Sequence, residues 1–113
     1  MINITLPFPV SVNQLYNGGS KQQRFPSKKY KEWLRLCPRL NPYKFDSVKI
    51  HYCYYFPEAR SRDTENYIKC VSDYLVKESV LIDDNYNVIK EMTITPMGID
   101  REKPRVEIFI YPC

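Results

Sequence analysis

The run Val48-Lys-Ile-His-Tyr-Cys-Tyr-Tyr-Phe56 limits what this chain can become more than any other stretch. Successive side chains of an extended strand point to opposite faces, so Val48, Ile50, Tyr52, Tyr54 and Phe56 share one face. Lys49, His51, Cys53 and Tyr55 share the other. β-Branched and aromatic residues favour such a half-buried surface. A strand this apolar on one side needs a sheet around it and something packed on top. His51 reads as an ordinary strand residue, since nothing nearby in the sequence orients it as a base.

Residues 2–6 alternate apolar and polar and read as a first strand, ended by Pro7 and Pro9. Residues 11–27, with Gly18-Gly19 and many polar side chains, read as a long loop without structure of its own. Ser27 is placed to cap a helix reaching about Arg39, with Tyr30, Trp33, Leu34 and Cys37 as its apolar face and Pro38 at its end. Asp63 is a good N-cap for a second helix reaching about Glu78. Tyr67, Ile68, Val71, Tyr74 and Leu75 give that helix a buried stripe. Residues 87–95 and 105–111 read as strands, joined as a hairpin through Pro96-Met97-Gly98 and a charged run to Pro104. The expected order is β-α-β-α-β-β: an α+β (α/β) fold with one mixed sheet and two main helices packed on it, forming a single domain over residues 1–113.

With 43% apolar residues the chain suits a globular domain rather than a disordered one. No apolar run approaches membrane-spanning length, and no basic start followed by an apolar run marks an export signal. Cys37, Cys53, Cys70 and Cys113 are not spaced as zinc pairs, and one histidine adds little to a zinc site. The expectation is four reduced thiols in a cytoplasmic protein.

The net charge of +4 is unevenly spread. Residues 1–62 carry eleven Lys/Arg against three acids, a balance of +8, and residues 63–113 carry six against ten, a balance of −4. Lys21, Arg24, Lys28, Lys29, Lys31, Arg35 and Arg39 crowd into one stretch with only Glu32 opposing them. Such a patch suits a phosphate backbone, and it also suits a solvated basic helix.

The acids are equally ambiguous. Asp63 and Glu65 lie at a helix start, where free N–H groups and the helix dipole favour negative charge in any case. Glu65, Lys69 and Asp73 are spaced for a ladder of exposed ion pairs worth only ~0.3–0.5 kcal/mol each. Asp83-Asp84-Asn85 suits a plain turn. The alternative is that Asp63, Glu65 and one of Asp83 and Asp84 converge on Mg²⁺, a hard cation that needs only two or three carboxylates. Lys69 then steadies developing negative charge, while Arg60 and Arg62 grip flanking phosphates.

Three segments together decide between these. Arg62-Asp-x-Glu-Asn66-x-x-Lys69, Leu81-Ile-Asp-Asp84 and Leu6-Pro-Phe-Pro9…Asn13-x-x-Tyr16 resemble the RusA family of Holliday junction resolvases. The resemblance covers about residues 2–16 and 60–94. It implies a small homodimeric, Mg²⁺-dependent endodeoxyribonuclease, with Mn²⁺ as a substitute, that binds four-way DNA junctions by shape. It implies symmetric paired nicks that ligase can seal, in DNA recombination and repair. By position it implies that Asp63, Glu65 and Asp84 hold the metal, with Asp83 as the lesser member of its pair, and that Lys69 is the essential lysine. Arg62 and Asn66 occupy supporting positions beside the acids. Glu65 departs from the family's usual aspartate by one methylene, which still leaves a hard carboxylate. Lys21, Arg24, Lys28, Lys29, Lys31 and Arg35 are expected to hold DNA on charge alone. A two-fold junction matches a two-fold dimer, for which exposed apolar side chains such as Tyr52, Tyr54 or Phe56 are candidate contacts. The competing readings are a non-catalytic DNA-binding module and a nuclease for other branched DNA such as flaps or forks.

Overall fold

β4 (Val48–Phe56) forms where its alternation requires it, and the sheet is organised around it. The structure is a computed structural model and describes residues 1–18 and 24–113. In chain order its elements are β1 (Ile2–Pro7), β2 (Tyr16–Asn17), β3 (Phe25–Pro26), α1 (Lys28–Leu36), β4, α2 (Ile68–Lys77), β5 (Ile89–Ile99) and β6 (Arg105–Pro112). β1, β6, β4 and β5 lie side by side in that order. β6 is antiparallel to both β1 and β4, and β5 is parallel to β4. A parallel neighbour cannot be reached by a tight turn, so the chain between β4 and β5 crosses over through α2. This is the mixed α+β sheet expected from the sequence.

The expected hairpin between the last two strands does not form. β6 sits on the far side of β4 from β5, and residues 100–104 carry the chain past the end of β4. Asp100 makes that passage: its N–H donates to the Phe56 carbonyl at 2.8 Å, and its carboxylate accepts from Glu102 N–H, Lys103 N–H and Arg105 Nη1. The inner position buries Val106, Ile108 and Ile110 completely. A place beyond β5 at the sheet's edge would leave them wet, so burial overrides the local turn signal. Pro96-Met97-Gly98 belong to β5 itself, with a register shift opposite Tyr54/Tyr55 and Gly98 at φ 127°. Proline in a strand belongs at an edge or bulge, and this strand offers both.

The described parts of the expected loop, residues 11–18 and 24–27, carry more structure than expected; the rest of it, with Gly19, lies outside the described residues. Val12–Gln14 form a 3₁₀ turn, and β2 pairs antiparallel with β3. Ser27 ties the segment down: its N–H donates to the Leu15 carbonyl and its hydroxyl donates to the Gln14 carbonyl at 2.6 Å. The same hydroxyl accepts from Tyr30 N–H and so caps α1 as the sequence indicates. α1 stops at Leu36, with Cys37 as its C-cap ahead of Pro38, rather than continuing to Arg39.

One contiguous core joins the apolar face of β4 to β1, β6, α1 and α2. Trp33 meets Tyr74 edge-on at 5.6 Å and donates Nε1–H to the Pro7 carbonyl, which locks α1 against α2 and the end of β1. Tyr52 Oη lies 2.8 Å from Ser72 Oγ, which fixes α2 over the middle of β4. Tyr52 and Tyr54 are fully buried, so their suggested use as interface rings is overturned, while Phe56 is half-buried. Their alternation faces them into their own helices, which a strand pattern alone does not distinguish from a subunit contact. Leu75 is wholly enclosed. Leu75→Ala is expected to cost ~2–5 kcal/mol in urea unfolding, whereas exposed Leu36→Ala stays within ~0.5 kcal/mol.

Candidate active site

The segment leading into α2 is held by an arginine turned inward. Arg62 has a side chain only 8% exposed. Its guanidinium donates to Glu58 Oε1 at 2.8 Å and lies 5.6 Å from the Phe8 ring centre and 5.9 Å from that of Phe56. Phe8 also packs against Tyr67 at 5.1 Å. Cation–π attraction is strongest where water is excluded, as it is here. The turn before Asp63 is thereby pinned to the aromatic cluster at the ends of β1 and β4. The guanidinium expected to grip a phosphate is engaged inside this cluster instead, while Arg60 remains exposed beside Glu58 at 3.8 Å.

Asp63 does not start an α-helix directly. It precedes a 3₁₀ turn, Thr64–Tyr67, makes no side-chain capping bond, and α2 begins only at Ile68. Its backbone carbonyl instead accepts from Asn66 N–H at 3.1 Å. The tighter turn brings Tyr67 under Phe8 and Tyr54, and that burial explains the departure from simple capping. The carboxylates of Asp63 and Glu65 are left on the exposed side.

Lys69, in the first turn of α2, donates Nζ–H to Asp73 Oδ1 at 3.0 Å. That bond is the main reason the ammonium holds its proton above the ordinary lysine range; the charges of Asp73, Asp84 and Tyr16 act in the same direction. Asp84 therefore lies within electrostatic reach of Lys69. It also adds to the pull of burial that raises the Tyr52 hydroxyl to about 12.

The turn bearing Asp84 is built by its neighbours. Asp83 accepts from Asp84 N–H at 2.7 Å and from Asn85 Nδ2 at 3.0 Å, and Asn85 accepts from Asn87 N–H at 2.9 Å. Ile82 N–H donates to the Phe45 carbonyl, anchoring the turn to the body of the protein. Asp83 uses both carboxylate oxygens within the turn, while the Asp84 carboxylate makes no hydrogen bond among the described residues. The resemblance already ranks Asp83 below Asp84, and the turn gives a physical reason: Asp83 is engaged within it.

Asp63, Glu65, Asp83 and Asp84 are all exposed carboxylates, the donor type a hard divalent cation takes. The donor chemistry fits such an ion. The arrangement is open: among the described residues no three Asp, Glu, His or Cys side chains are gathered closely enough to hold one. His51 is occupied on the sheet, 2.7 Å from Thr95 Oγ1.

Arg24, Lys28, Lys29, Lys31 and Arg35 are all exposed, and Lys21 lies outside the described residues. Lys29 reaches Gln14 at 3.3 Å and Arg35 reaches Glu32 at 3.6 Å, weak surface contacts that leave the face of α1 basic. A cleft of about 390 Å³ runs between this helix and the segment before Asp63, with Lys29, Arg60 and Arg62 in its lining. Glu32 and Glu58 also line it, and Asp63, Glu65, Asp83 and Asp84 lie outside its lining.

All four thiols are free. Burial pushes Cys37 and Cys70 up to about 12, so neither carries appreciable thiolate at pH 8. Cys113 is exposed. A disulfide reagent at pH 8 is expected to consume about one equivalent rapidly from native protein and four after denaturation; fast consumption of three or four from the folded state would contradict this burial pattern.

The protein is thus a mixed sheet with a crossover helix, exposed acids at the head of that helix and exposed cations on α1. The model of the endodeoxyribonuclease RusA family matches residues 7–111, and the chain belongs to that family, whose members are endodeoxyribonucleases acting on Holliday junctions. No curated protein matches the chain significantly.

Proposed function

We propose that this protein is a divalent-metal-dependent Holliday junction resolvase that works as a homodimer and cuts opposing strands in pairs. The family match carries the reading, because it spans Asp63, Glu65, Lys69 and Asp84 together. Asp63, Glu65 and Asp84 would hold Mg²⁺, or Mn²⁺ in its place, with Asp83 shaping the turn from which Asp84 projects. When bound, such an ion activates water and offsets the negative charge of a phosphate.

The chain's own residues supply the rest. Lys69 offers a fixed positive charge to a phosphate beside the acids. Arg60 and the exposed cations of α1 attract the backbone of the junction arms. Asn66 and Arg62 support the acids, Arg62 by bracing the segment from inside. Recombination and repair in the cytoplasm follow as the setting of this activity. A dimer would give a two-fold junction two matching sites.

The open spread of the carboxylates among the described residues favours one second reading, a DNA-binding protein that no longer cuts. Cleavage of a mobile synthetic four-way junction in Mg²⁺, in Mn²⁺ and in EDTA separates the two. Wild type is expected to leave paired, ligatable nicks only with a metal. Asp84→Asn should lower the cleavage rate at least ~100-fold, while junction affinity holds or rises as a negative charge near the DNA is lost. Binding without cutting in either metal would select the second reading.

Salt dependence tests the basic helix separately. For each of Lys28, Lys29, Lys31 and Arg35 that pairs with a phosphate, replacement by alanine should lower the slope of log K against log salt by roughly 0.9 on duplex arms. An unchanged slope in the quadruple variant would remove α1 from the interface.

A further inference from the structure

We propose that Asp73 is a positioning residue of the cleavage site, holding the Lys69 ammonium in place. This rests on the nuclease reading above. The geometry is direct: Lys69 Nζ lies 3.0 Å from Asp73 Oδ1. The anchor is the more enclosed partner, with the Asp73 side chain 28% exposed and the Lys69 side chain 55% exposed.

The pair is not explained as a helix-stabilising contact. In a helix, an acid four residues before a lysine is the favourable order, and the reverse order is weaker. Lys69 lies in the first turn of α2, where the dipole disfavours a cation, and Asp73 lies one turn further in. A pair selected for stability would have these charges exchanged. Glu65 also sits four residues before Lys69, but in the 3₁₀ turn ahead of α2, so the two do not face each other as a helical pair. Among the described residues Glu65 makes no ion pair, and the ammonium goes to Asp73. An acid without an ion pair remains open to other ligands.

The negative charge of Asp84 acts on the same ammonium in the same direction as that of Asp73. Lysine is a flexible stem with a point charge, and its usefulness toward a phosphate depends on where that charge is held. Asp73 supplies the fixed point from its own helix.

The test is single-turnover cleavage of a synthetic four-way junction, with junction affinity in EDTA and thermal midpoint measured on the same proteins. The variants are Asp73→Ala, Asp73→Glu, Lys69→Ala and the double Lys69→Ala/Asp73→Ala. Asp73→Ala should cut about tenfold more slowly, with affinity unchanged or tighter and the midpoint within about 2 °C of wild type. Asp73→Glu should restore most of the rate, because the longer acid still reaches Nζ. The double variant should be no slower than Lys69→Ala, since Asp73 acts through the lysine. Wild-type cutting by Asp73→Ala, when Lys69→Ala is inactive, would overturn this role alone. A double variant clearly slower than Lys69→Ala, or a rate loss that follows a fall in midpoint or affinity, would also overturn it. Full activity in Lys69→Ala would overturn the lysine's part in the nuclease reading, and this proposal with it.

Discussion

The sheet depends on β4 being apolar on one side and hydrogen-bonded on both edges. One edge takes β6 antiparallel and the other takes β5 parallel. That choice of partners forces α2 to cross over the sheet, and the crossing puts the 60–69 segment at one end of a parallel strand pair. Open sheets with such crossovers place their ligand sites at strand ends, where helix starts and loops gather. The acidic segment is therefore at the strand end because of the connectivity.

A second constraint is aromatic. Phe8, Phe56, Tyr54 and Tyr67 gather at the ends of β1 and β4, with the Arg62 guanidinium over two of the rings. Glu58 pairs with that guanidinium from the solvent side, its own side chain half exposed. The turn before Asp63 is thus rigid on its inner side, while the carboxylates on its outer side stay exposed. Rigid support beneath an exposed functional group is the usual way to fix geometry without enclosing it.

Much of this was legible in the sequence. The alternation of residues 48–56, the serine cap of α1 and the stripe of α2 each follow from one local rule, and each appears in the structure. The errors have a common cause: competition between local and distant contacts. Pro96-Met97-Gly98 carries turn residues, but burial of Val106, Ile108 and Ile110 places β6 beyond β4. Asp63 is a good cap by type, but Tyr67 must reach the aromatic cluster, so a 3₁₀ turn intervenes. Arg62 looks like a phosphate ligand in a basic context, and nothing local reveals that Phe8 comes to lie against it. At the candidate site the residue types were readable and the acids' open arrangement was not, because separations between residues distant in sequence are set by the whole fold.

The outer edge of β5 is eleven residues long and carries Met92, Met97 and Ile99 in the open. An edge of that length invites uncontrolled pairing with another chain's backbone. Two features interrupt it. Pro96 has no N–H to offer, and the irregularity opposite Tyr54/Tyr55, with Gly98 at φ 127°, breaks the regular spacing of the ladder. A foreign strand would find only short stretches in register, so the same irregularities that let β5 follow the twist of β4 also protect the protein from fibre-like self-association.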